Sequence, residues 1–290
     1  CEDRIEAIIR IGELVVVTSG LHITCVKSGE ILWSNALEGS ADLLAFYDKK
    51  VIATSSVYDI EHGDFMESAL WQFSLDGELI EVTRMDERPW FLHSNENLIL
   101  ALGRPKCGLL VDGEHRELPS TSPVMCGLSG RENILFGHAD GTISSFKGEE
   151  ICKESTSIES ITCIEQGFVA ALDNGDLVAR TPSSDKIWTA SGPQVTTHVA
   201  GFDDMHWCGR WDSIRGHLEV RSSSGELMVS TETSRPRVSD CSENRIAFGF
   251  EDGQILVWER DLFQRRSNQE KSEENSRNSA LAARLRSLRK

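Results

Sequence analysis

Two stretches of the sequence gather side chains that could bind a metal ion. In the segment 203–212, His206 and Cys208 are two residues apart, so a β-strand would place both on one face, where they could ligate zinc. The flanking residues are apolar and aromatic, and we interpret the segment as a core strand. The segment 58–68 carries carboxylates that suit calcium but lacks the Asp-x-Asp-x-Asp-Gly register of a calcium loop. We therefore interpret it as a solvated loop and expect neither a metal nor a cofactor.

Motifs of the common nucleophilic and phosphate-binding sites are absent from the sequence. It contains no Gly-x-Ser-x-Gly, no P-loop and no His-Glu-x-x-His. The 8 cysteines are dispersed singly and form no Cys-x-x-Cys pair. We therefore expect a non-enzymatic protein with reduced thiols in the cytoplasm. The cysteine at position 1 leaves open an envelope-anchored lipoprotein, but strand-like sequence begins by Ile5 and leaves almost no tether, so we favour a fragment boundary.

The charge of the chain is uneven along its length. The formal net charge is −16, yet residues 259–290 hold 9 Lys and Arg against 5 Asp and Glu. The preceding body therefore carries 21 basic and 41 acidic side chains. A body this acidic repels phosphate backbones, so we do not expect it to bind nucleic acid directly. No run of 18 apolar residues occurs, and the sequence thus predicts no membrane-spanning segment.

A short phrase built around a Gly-Glu turn recurs along the chain. Its turns are separated by 48, 36, 35, 37 and 40 residues, and four strand-like runs of alternating or apolar residues fill each interval. Asp-Gly and Asn-Gly pairs such as Asp140-Gly141 and Asn174-Gly175 mark the hairpins between second and third strands. A period near 40 filled with short strands is typical of radial arrays of small sheets. The pattern predicts an all-β fold: a seven-bladed β-propeller of four-stranded antiparallel blades over residues 1–262.

Parts of these repeats resemble known propeller families. The segment 248–259 resembles the end of a WD40 repeat, with Trp258-Glu259 in place of Trp-Asp, and 135–146 is a weaker copy. Segments 28–33 and 185–188 resemble the Gly-Lys-x-x-Trp ending of quinoprotein-like repeats. The Gly-His dipeptide that opens a WD40 unit is missing. The resemblance implies a divergent WD40-like scaffold that binds other proteins; the alternatives are a quinoprotein-like propeller enzyme and an envelope lipoprotein scaffold anchored through Cys1.

One rim of such a propeller is the expected contact surface. Loops between second and third strands share a rim with the inter-blade loops, and that rim would gather the insertion 58–68. Trp90 and Trp211 lie at strand or loop ends and are candidates for partner contact. Four tryptophans in third or fourth strands are expected to lie between blades instead: Trp33, Trp71, Trp188 and Trp258. The candidate partner-binding residues are Asp59, Glu61, His62, Asp64, Arg104, Lys106, Trp211 and Arg215.

The end of the chain differs from the repeats. The seventh unit lacks an obvious fourth strand, which either Asp261–Arg265 or a segment upstream of residue 1 would supply. Residues 263–278 are expected to form a polar linker, and 279–290 a short amphipathic basic helix. Its expected docking residues are Leu281, Arg284, Leu285 and Leu288, which would contact an unidentified partner while the propeller remains a monomer within a complex. Deleting 267–290 should then leave the melting temperature nearly unchanged and weaken partner capture.

Overall fold

The computed structural model describes residues 5–129 and 133–265. These residues form two compact units. The first comprises the chain up to Ile161 together with Ala170–Asp173, and the second comprises Thr162–Val169 together with the chain from Asn174 onward. Their strands form seven consecutive sheets in which sequence neighbours are also sheet neighbours. The fold is the predicted seven-bladed β-propeller of antiparallel blades.

The first unit contains four blades of four strands each. Blade 1 comprises β1 (Ile5–Ile11), β2 (Leu14–Ser19), β3 (His22–Lys27) and β4 (Glu30–Ala36). Blade 2 comprises β5 (Ser40–Tyr47), β6 (Lys50–Asp59), β7 (Asp64–Phe73) and β8 (Leu79–Met85). Blade 3 comprises β9 (Pro89–Ser94), β10 (Leu98–Leu102), β11 (Leu109–Val111) and β12 (Glu114–Arg116). Blade 4 comprises β13 (Val124–Ser129), β14 (Ile134–His138), β15 (Thr142–Ser145) and β16 (Glu150–Lys153).

The remaining blades follow in the same order along the chain. Blade 5 comprises β17 (Ile158–Ile164), β18 (Gly167–Leu172), β19 (Leu177–Arg180) and β20 (Lys186–Ala190). In the second unit, blade 6 comprises β21 (Gln194–Ala200), β22 (His206–Trp211), β23 (Gly216–Arg221) and β24 (Leu227–Thr233), with a 3-10 turn at Phe202–Asp204. Blade 7 has three strands within the described residues: β25 (Pro236–Cys241), β26 (Arg245–Phe250) and β27 (Ile255–Glu259).

Burial follows the position of each strand within its blade. The second strands are almost wholly buried, as in β10 and β18, because both of their faces are covered by protein. Fourth strands such as β24 are exposed along nearly their whole length. The Gly-Glu turns connect third and fourth strands, as the sequence predicts. The repeat therefore places apolar residues in the middle of each blade and the turns at its outer edge.

Tryptophans on fourth strands connect consecutive blades. The Trp33 indole donates its Nε1–H to the Leu75 carbonyl at 2.9 Å and lies against Gly77 in the turn of blade 2. In the second unit, Trp188 donates to the Ser223 carbonyl at 3.0 Å and lies against Gly225 in the corresponding turn of blade 6. The predicted inter-blade role of both residues is confirmed.

The other two predicted inter-blade tryptophans take part in apolar packing that includes residues of a neighbouring blade. Trp71 belongs to a core cluster that includes Val16 and Ile23 of blade 1, and its indole donates to Ser55 Oγ at 2.9 Å. Trp258 on blade 7 lies with its ring centroid 5.1 Å from that of Trp207 on blade 6. Their expected placement is confirmed as well.

The expected strand at Asp261–Arg265 is wrong, because residues 260–265 are helical. Arg260 Nη2 and Gln264 Nε2 donate to the two carboxylate oxygens of Asp203 at 2.7 and 2.9 Å, a pairing that requires both side chains on one helical face. The Phe263 ring lies 5.4 Å from that of Trp207. A short C-terminal helix is therefore present, whereas the helix expected at 279–290 lies outside the described residues.

Candidate interaction surface

The insertion in blade 2 extends a hairpin instead of forming the expected solvated loop. Strands β6 and β7 continue through it, with Val57 opposite Glu67, Tyr58 opposite Phe65, and Asp59 opposite Asp64. The cross-strand backbone hydrogen bonds give the projecting segment a fixed register. The segment 58–68 is exposed over most of its length, as expected of a solvated segment, but the expected loop is reduced to the turn between the paired strands.

Asp59 holds the turn at the end of this hairpin. Its Oδ1 accepts the amides of Glu61 and His62 at 2.7 and 3.2 Å, and its Oδ2 lies 3.0 Å from His62 Nδ1. The hydrogen bond with the His62 side chain, followed by those from the two amides, lowers the pKa of the Asp59 carboxyl. Asp64 Oδ1 accepts the Phe65 amide at 2.8 Å. Both carboxylates that resembled calcium ligands thus take part in the backbone structure of the hairpin.

Apolar side chains on the hairpin are exposed to solvent. Ile60 at the turn is 87% exposed, Tyr58 is 52% exposed and Met66 is 46% exposed. Val57 at the base of the projection is also exposed. Exposed apolar side chains rimmed by polar residues are typical of binding surfaces.

The Arg88 guanidinium connects the hairpin to blade 3. Its central carbon lies 3.8 Å from the Phe65 ring centroid and 4.3 Å from that of Trp90. The Phe65 and Trp90 rings meet edge to face at 6.3 Å, and Tyr58 meets Phe65 in the same manner at 5.1 Å. Aromatic rings stacked with arginine are the composition enriched at the centres of protein interfaces. We call Val57, Tyr58, Ile60, Phe65, Met66, Arg88 and Trp90 the hairpin surface.

A largely buried ion pair with Asp42 holds the Arg88 side chain in place. Its Nη2 donates to Asp42 Oδ1 at 3.0 Å, and both side chains are mostly shielded from solvent. Burial raises the pKa of Asp42, against the lowering influence of the Arg88 charge and of a hydrogen bond from Ser56. The Arg88 backbone carbonyl also accepts the Gly103 amide at 2.8 Å. Hydrogen bonds therefore fix both the side chain and the backbone of Arg88, and Arg88 in turn positions the Phe65 and Trp90 rings that stack on it.

Arg104 and Lys106 lie on the loop that follows Gly103, and both are exposed. A Cβ at Gly103 would lie 2.9 Å from Trp90 Nε1, so this loop begins beside the hairpin surface. Arg104 also lines an open cavity of about 710 Å³ together with Ser120, Asp140 and Lys153. In the first unit the structure thus brings Asp59, Glu61, His62, Asp64, Arg104 and Lys106 to neighbouring loops.

Trp211 and Arg215 belong to the second unit and form a local cluster there. Arg235 lies over the Trp211 ring at 5.3 Å, and Arg215 pairs with Glu232 at 2.8 Å. Asp212 Oδ1 accepts the amides of Arg215 and Ile214 at 2.6 and 2.8 Å. These backbone hydrogen bonds, with one from His217, lower the pKa of Asp212 to about 2. The turn is rigid, and its contribution to a binding surface stays a prediction.

The expected core strand lies at His206–Trp211, and it contains buried polar side chains, among them His206 and Arg210. His198 Nδ1 lies 2.9 Å from His206 Nε2, and burial, with the nearby His198 and two arginines, lowers the pKa of His206 well below its usual value. Burial likewise raises the pKa of the Cys208 thiol to about 12. Among the residues that the structure describes, no three His, Cys, Asp or Glu side chains are grouped as a metal site. His206 and Cys208 are core residues of blade 6.

Five residues of the hairpin surface were not among the candidates from the sequence: Arg88, Tyr58, Ile60, Phe65 and Met66. The apolar letters within 57–66 were a usable signal, because a solvated loop has no need of a tyrosine, an isoleucine and a phenylalanine. No pattern in the sequence pairs Arg88 with Phe65, since the two residues belong to different blades.

Comparison with known proteins identifies the fold but not a sequence family. No protein-family model matches the chain, and no curated protein matches it in sequence. The structure of BamB from Moraxella catarrhalis matches with a TM-score of 0.70 and 14% identity, covering 89% of this chain and 86% of that one. The WD40 β-propeller domain of Doa1 matches with a TM-score of 0.61 and 12% identity, over 89% and 94% of the two chains. The fold is that of WD40-like and BamB-like β-propellers.

Two further solved structures extend this likeness. The C-terminal WD40 domain of Sif2 matches with a TM-score of 0.63 and 11% identity, covering 88% of this chain and 81% of that one. BBS1N, solved in complex with ARL6DN, matches with a TM-score of 0.63 and 8% identity, over 87% and 90% of the chains. At these identities the likeness is one of fold alone. Within the described residues, no helix has the length and apolar character needed to cross a membrane.

Proposed function

We propose that this chain is a non-enzymatic scaffold that binds a protein partner through the hairpin surface. The observation that carries the proposal is the exposed apolar tip around Ile60, projecting on an ordered hairpin and backed by the Arg88 stack. An ordered surface loses little conformational entropy on binding, so its apolar area is available to stabilise a complex. The fold supports a binding role, since BBS1N, a solved structure of similar fold, is in complex with ARL6DN.

The chemistry of the surface defines the kind of partner that it fits. The apolar tip is flanked by the carboxylates of Glu61 and Asp64, and the body of the chain is strongly acidic. A partner segment with apolar side chains flanked by lysine or arginine would satisfy both features, because the charges would attract it and the apolar groups would be buried.

The test is a matched pair of surface substitutions in the full chain. Ile60→Asp places a charge at the centre of the surface and should weaken partner binding at least tenfold, or about 1.4 kcal/mol. Ile255→Asp is the control, since Ile255 is 69% exposed on β27 of blade 7, away from every candidate partner-binding residue in the sequence. The partner captured with the wild-type chain is identified by mass spectrometry, and its affinity for each purified variant is then measured by calorimetry. Equal binding by the two variants would remove the hairpin surface from the proposal.

We also propose that the chain works in a reducing compartment, namely the cytoplasm. The cysteines of the described residues are all free thiols; Cys25, Cys107 and Cys208 are buried, and three others are half-buried. Alkylation of the freshly extracted native protein followed by mass spectrometry should find these thiols reduced. A disulfide in the native protein would count against a cytoplasmic location.

A further inference from the structure

Strands β6 and β7 extend beyond the neighbouring strands of blade 2. The pairing of β6 with β5 ends at Ser56, and the pairing of β7 with β8 ends at Ser68. Beyond these residues, β6 and β7 pair only with each other among the strands that the structure describes. A two-stranded hairpin is only marginally stable in water, and further strands are a usual source of stability. The projecting part of the hairpin therefore has two outer edges that are open to another strand.

The two edges of the hairpin differ in regularity. Met66 on β7 has no partner on β6, and this bulge interrupts the β7 edge. A bulge hinders the addition of a further strand. Residues 57–59 of β6 continue without an extra residue, and they include no Lys, Arg or Pro of the kind that commonly protects an edge. Val57 and Tyr58 among them are exposed. We call residues 57–59 the β6 edge.

Most other strand edges in the molecule are interrupted by bulges. The fourth strands of blades 1, 2, 4, 5 and 6 each contain one extra residue at a register shift, such as Leu32 on β4 and Met228 on β24. The first strands of blades 1–4, 6 and 7 contain such a residue as well. The strand β12 is regular but only 3 residues long. These edges are therefore less suited to strand addition than the β6 edge.

The outer strand of blade 7 is the remaining long edge to compare. Strand β27 is regular and carries the exposed Ile255 and Val257. Arg245 on the adjacent strand pairs with Glu259 at 3.2 Å, so the charges beside this edge are balanced. Residues 57–67, by contrast, contain four carboxylates and no lysine or arginine. Because charge complementarity selects partners, the β6 edge is the regular edge whose surroundings identify an occupant.

The carboxylates beside the β6 edge gather on one face of the hairpin. Directly opposite residues of two paired strands share a face, and successive residues alternate between faces. Asp59 and Asp64 are opposite each other, and so are Val57 and Glu67, which places both pairs on the same face. Tyr58 lies on the other face. The hairpin thus has an acidic face and an aromatic face.

Nearby arginines do not neutralise the acidic face. Arg88 pairs with Asp42, and Arg84 pairs with Glu38. Neither arginine forms an ion pair with a carboxylate of residues 57–67. The negative charge of the hairpin is therefore available to a partner.

We propose that the protein partner binds as an extended segment that adds a strand to the β6 edge and carries lysine or arginine at alternate positions. The inference rests on the proposed function, because it specifies how a partner binds the same part of the molecule. The basic side chains of the added strand would lie beside the acidic face, and the apolar side chains between them would lie beside Tyr58. A second copy of the hairpin does not fit, because its carboxylates would face those of the first.

The test uses the full chain and synthetic peptides, because the partner is unidentified. The probe is a peptide of about eight residues in which lysine and valine alternate. Its isomer has the same composition and charge but repeats Lys-Lys-Val-Val. We expect the alternating peptide to bind at least tenfold more tightly, since only alternation places every lysine on one face of an added strand. Calorimetry measures both affinities at one salt concentration, because salt weakens the attraction between charges.

Peptides with methylated backbone nitrogens test the strand pairing directly. Only every second amide of an added strand faces the edge, so methylation of one alternate set should weaken binding at least tenfold and methylation of the other set should not. In the complex with the alternating peptide, amide hydrogen exchange should slow within residues 57–59. Exchange of residues 255–259 on β27 should stay unchanged, which makes that edge the internal control.

Three results would overturn the proposal. The alternating peptide could bind no better than its isomer, or the two methylated peptides could bind alike. The slowed exchange could also lie in residues 64–67 or 255–259 instead of in residues 57–59. Each of these results would show that charge alone, or another edge, accounts for the contact.

The partner assay separates this proposal from the proposed function. If Ile60→Asp weakens binding of the captured partner while the two peptide isomers bind alike, strand addition fails and the proposed function stands. If the alternating peptide pairs with the β6 edge while Ile60→Asp and Ile255→Asp bind the captured partner equally, the proposed function fails instead.

Discussion

Replacing the turn glycine on which Trp33 rests should destabilise the protein far more than replacing its counterpart in blade 1. Gly77 has φ +85°, and a Cβ built on it would lie 2.5 Å from Trp33 Cγ and 2.7 Å from Cδ2. Gly29 occupies the same position in the Gly-Glu turn of blade 1 with φ +87°, and nothing lies within 4 Å of its Cβ direction. The two glycines therefore share a backbone conformation and differ in the space beside them.

The magnitudes follow from separating the two effects. An alanine in the left-handed region costs roughly 1–2 kcal/mol at either position. At Gly77 the methyl group must also displace the indole, and overpacking of this kind costs a further 1–3 kcal/mol or so. Movement of the ring also strains its hydrogen bond to the Leu75 carbonyl, now 2.9 Å long. We expect Gly77→Ala to lower the free energy of unfolding by about 1–3 kcal/mol more than Gly29→Ala does.

Urea unfolding of the single and double variants measures this excess. In a Trp33→Gly background both the ring and the Trp33 Cβ, which lies 2.9 Å from the built Cβ, are absent, so the penalty of Gly77→Ala should fall to that of Gly29→Ala. The same comparison can be made in the second unit with Gly225 and Trp188. The reasoning is refuted if Gly77→Ala and Gly29→Ala differ by less than about 0.5 kcal/mol, or if the excess persists without Trp33.

Three further predictions concern buried and titrating side chains. Arg210 is fully buried and donates to Glu219 and to the carbonyls of Gly175 and Pro193. Arg210→Met should therefore lower the free energy of unfolding, measured in urea, by roughly 3–5 kcal/mol. The exposed Arg215→Met is the control and should lower it by less than ~1 kcal/mol. Burial lowers the pKa of His206, so below about pH 6.5 the unfolded chain takes up a proton that the folded chain does not. The free energy of unfolding should therefore be constant above about pH 6.5 and fall by up to about 1.4 kcal/mol per pH unit below it. The slope should be shallower in His206→Gln. The pKa of Asp140 is about 2, since hydrogen bonds from Thr142 and Lys153 outweigh the desolvation that raises it, so Lys153→Met should raise its NMR titration midpoint.

The sequence predicts the repeated part of this fold well because the repeat encodes local physics. Glycine at φ near +85° occupies the third-to-fourth-strand turn of five blades, with Ser184 at φ +71° in blade 5, and the apolar second strands follow from burial on both faces. The inter-blade role of Trp33 was predictable because its position in the fourth strand recurs. What differs between repeats was not predictable from the period: Gly77 touches a tryptophan and Gly29 does not.

The parts that the sequence misjudged depend on specific side-chain pairings that residue composition does not reveal. The insertion in blade 2 is rich in Asp and Glu, which favours a loop, yet pairing of Tyr58 with Phe65 extends both strands. Apolar and polar residues alternate only weakly in 260–265, so the pattern fits a strand or a helix. Asp203, some 60 residues earlier, stabilises the helix because it accepts hydrogen bonds from Arg260 and Gln264, which lie one helical turn apart. A cross-strand pair in the first case, and a tertiary contact in the second, outweighs local propensity.

Arg88 is the residue through which the hairpin surface depends on the core. Arg88→Lys keeps the positive charge near Asp42 but removes the planar group that stacks on Phe65 and Trp90. Because the ion pair is largely preserved, the free energy of unfolding should change by less than about 1 kcal/mol, while hydrogen exchange of the hairpin amides 58–65 should accelerate severalfold. Arg88→Met keeps an apolar stem but leaves the buried Asp42 carboxylate without its counter-charge, so it should lower global stability by several kcal/mol. If Arg88→Lys leaves exchange at the hairpin unchanged, the strand ladder alone orders the projection, and the aromatic stack would then serve only to present its rings to a partner.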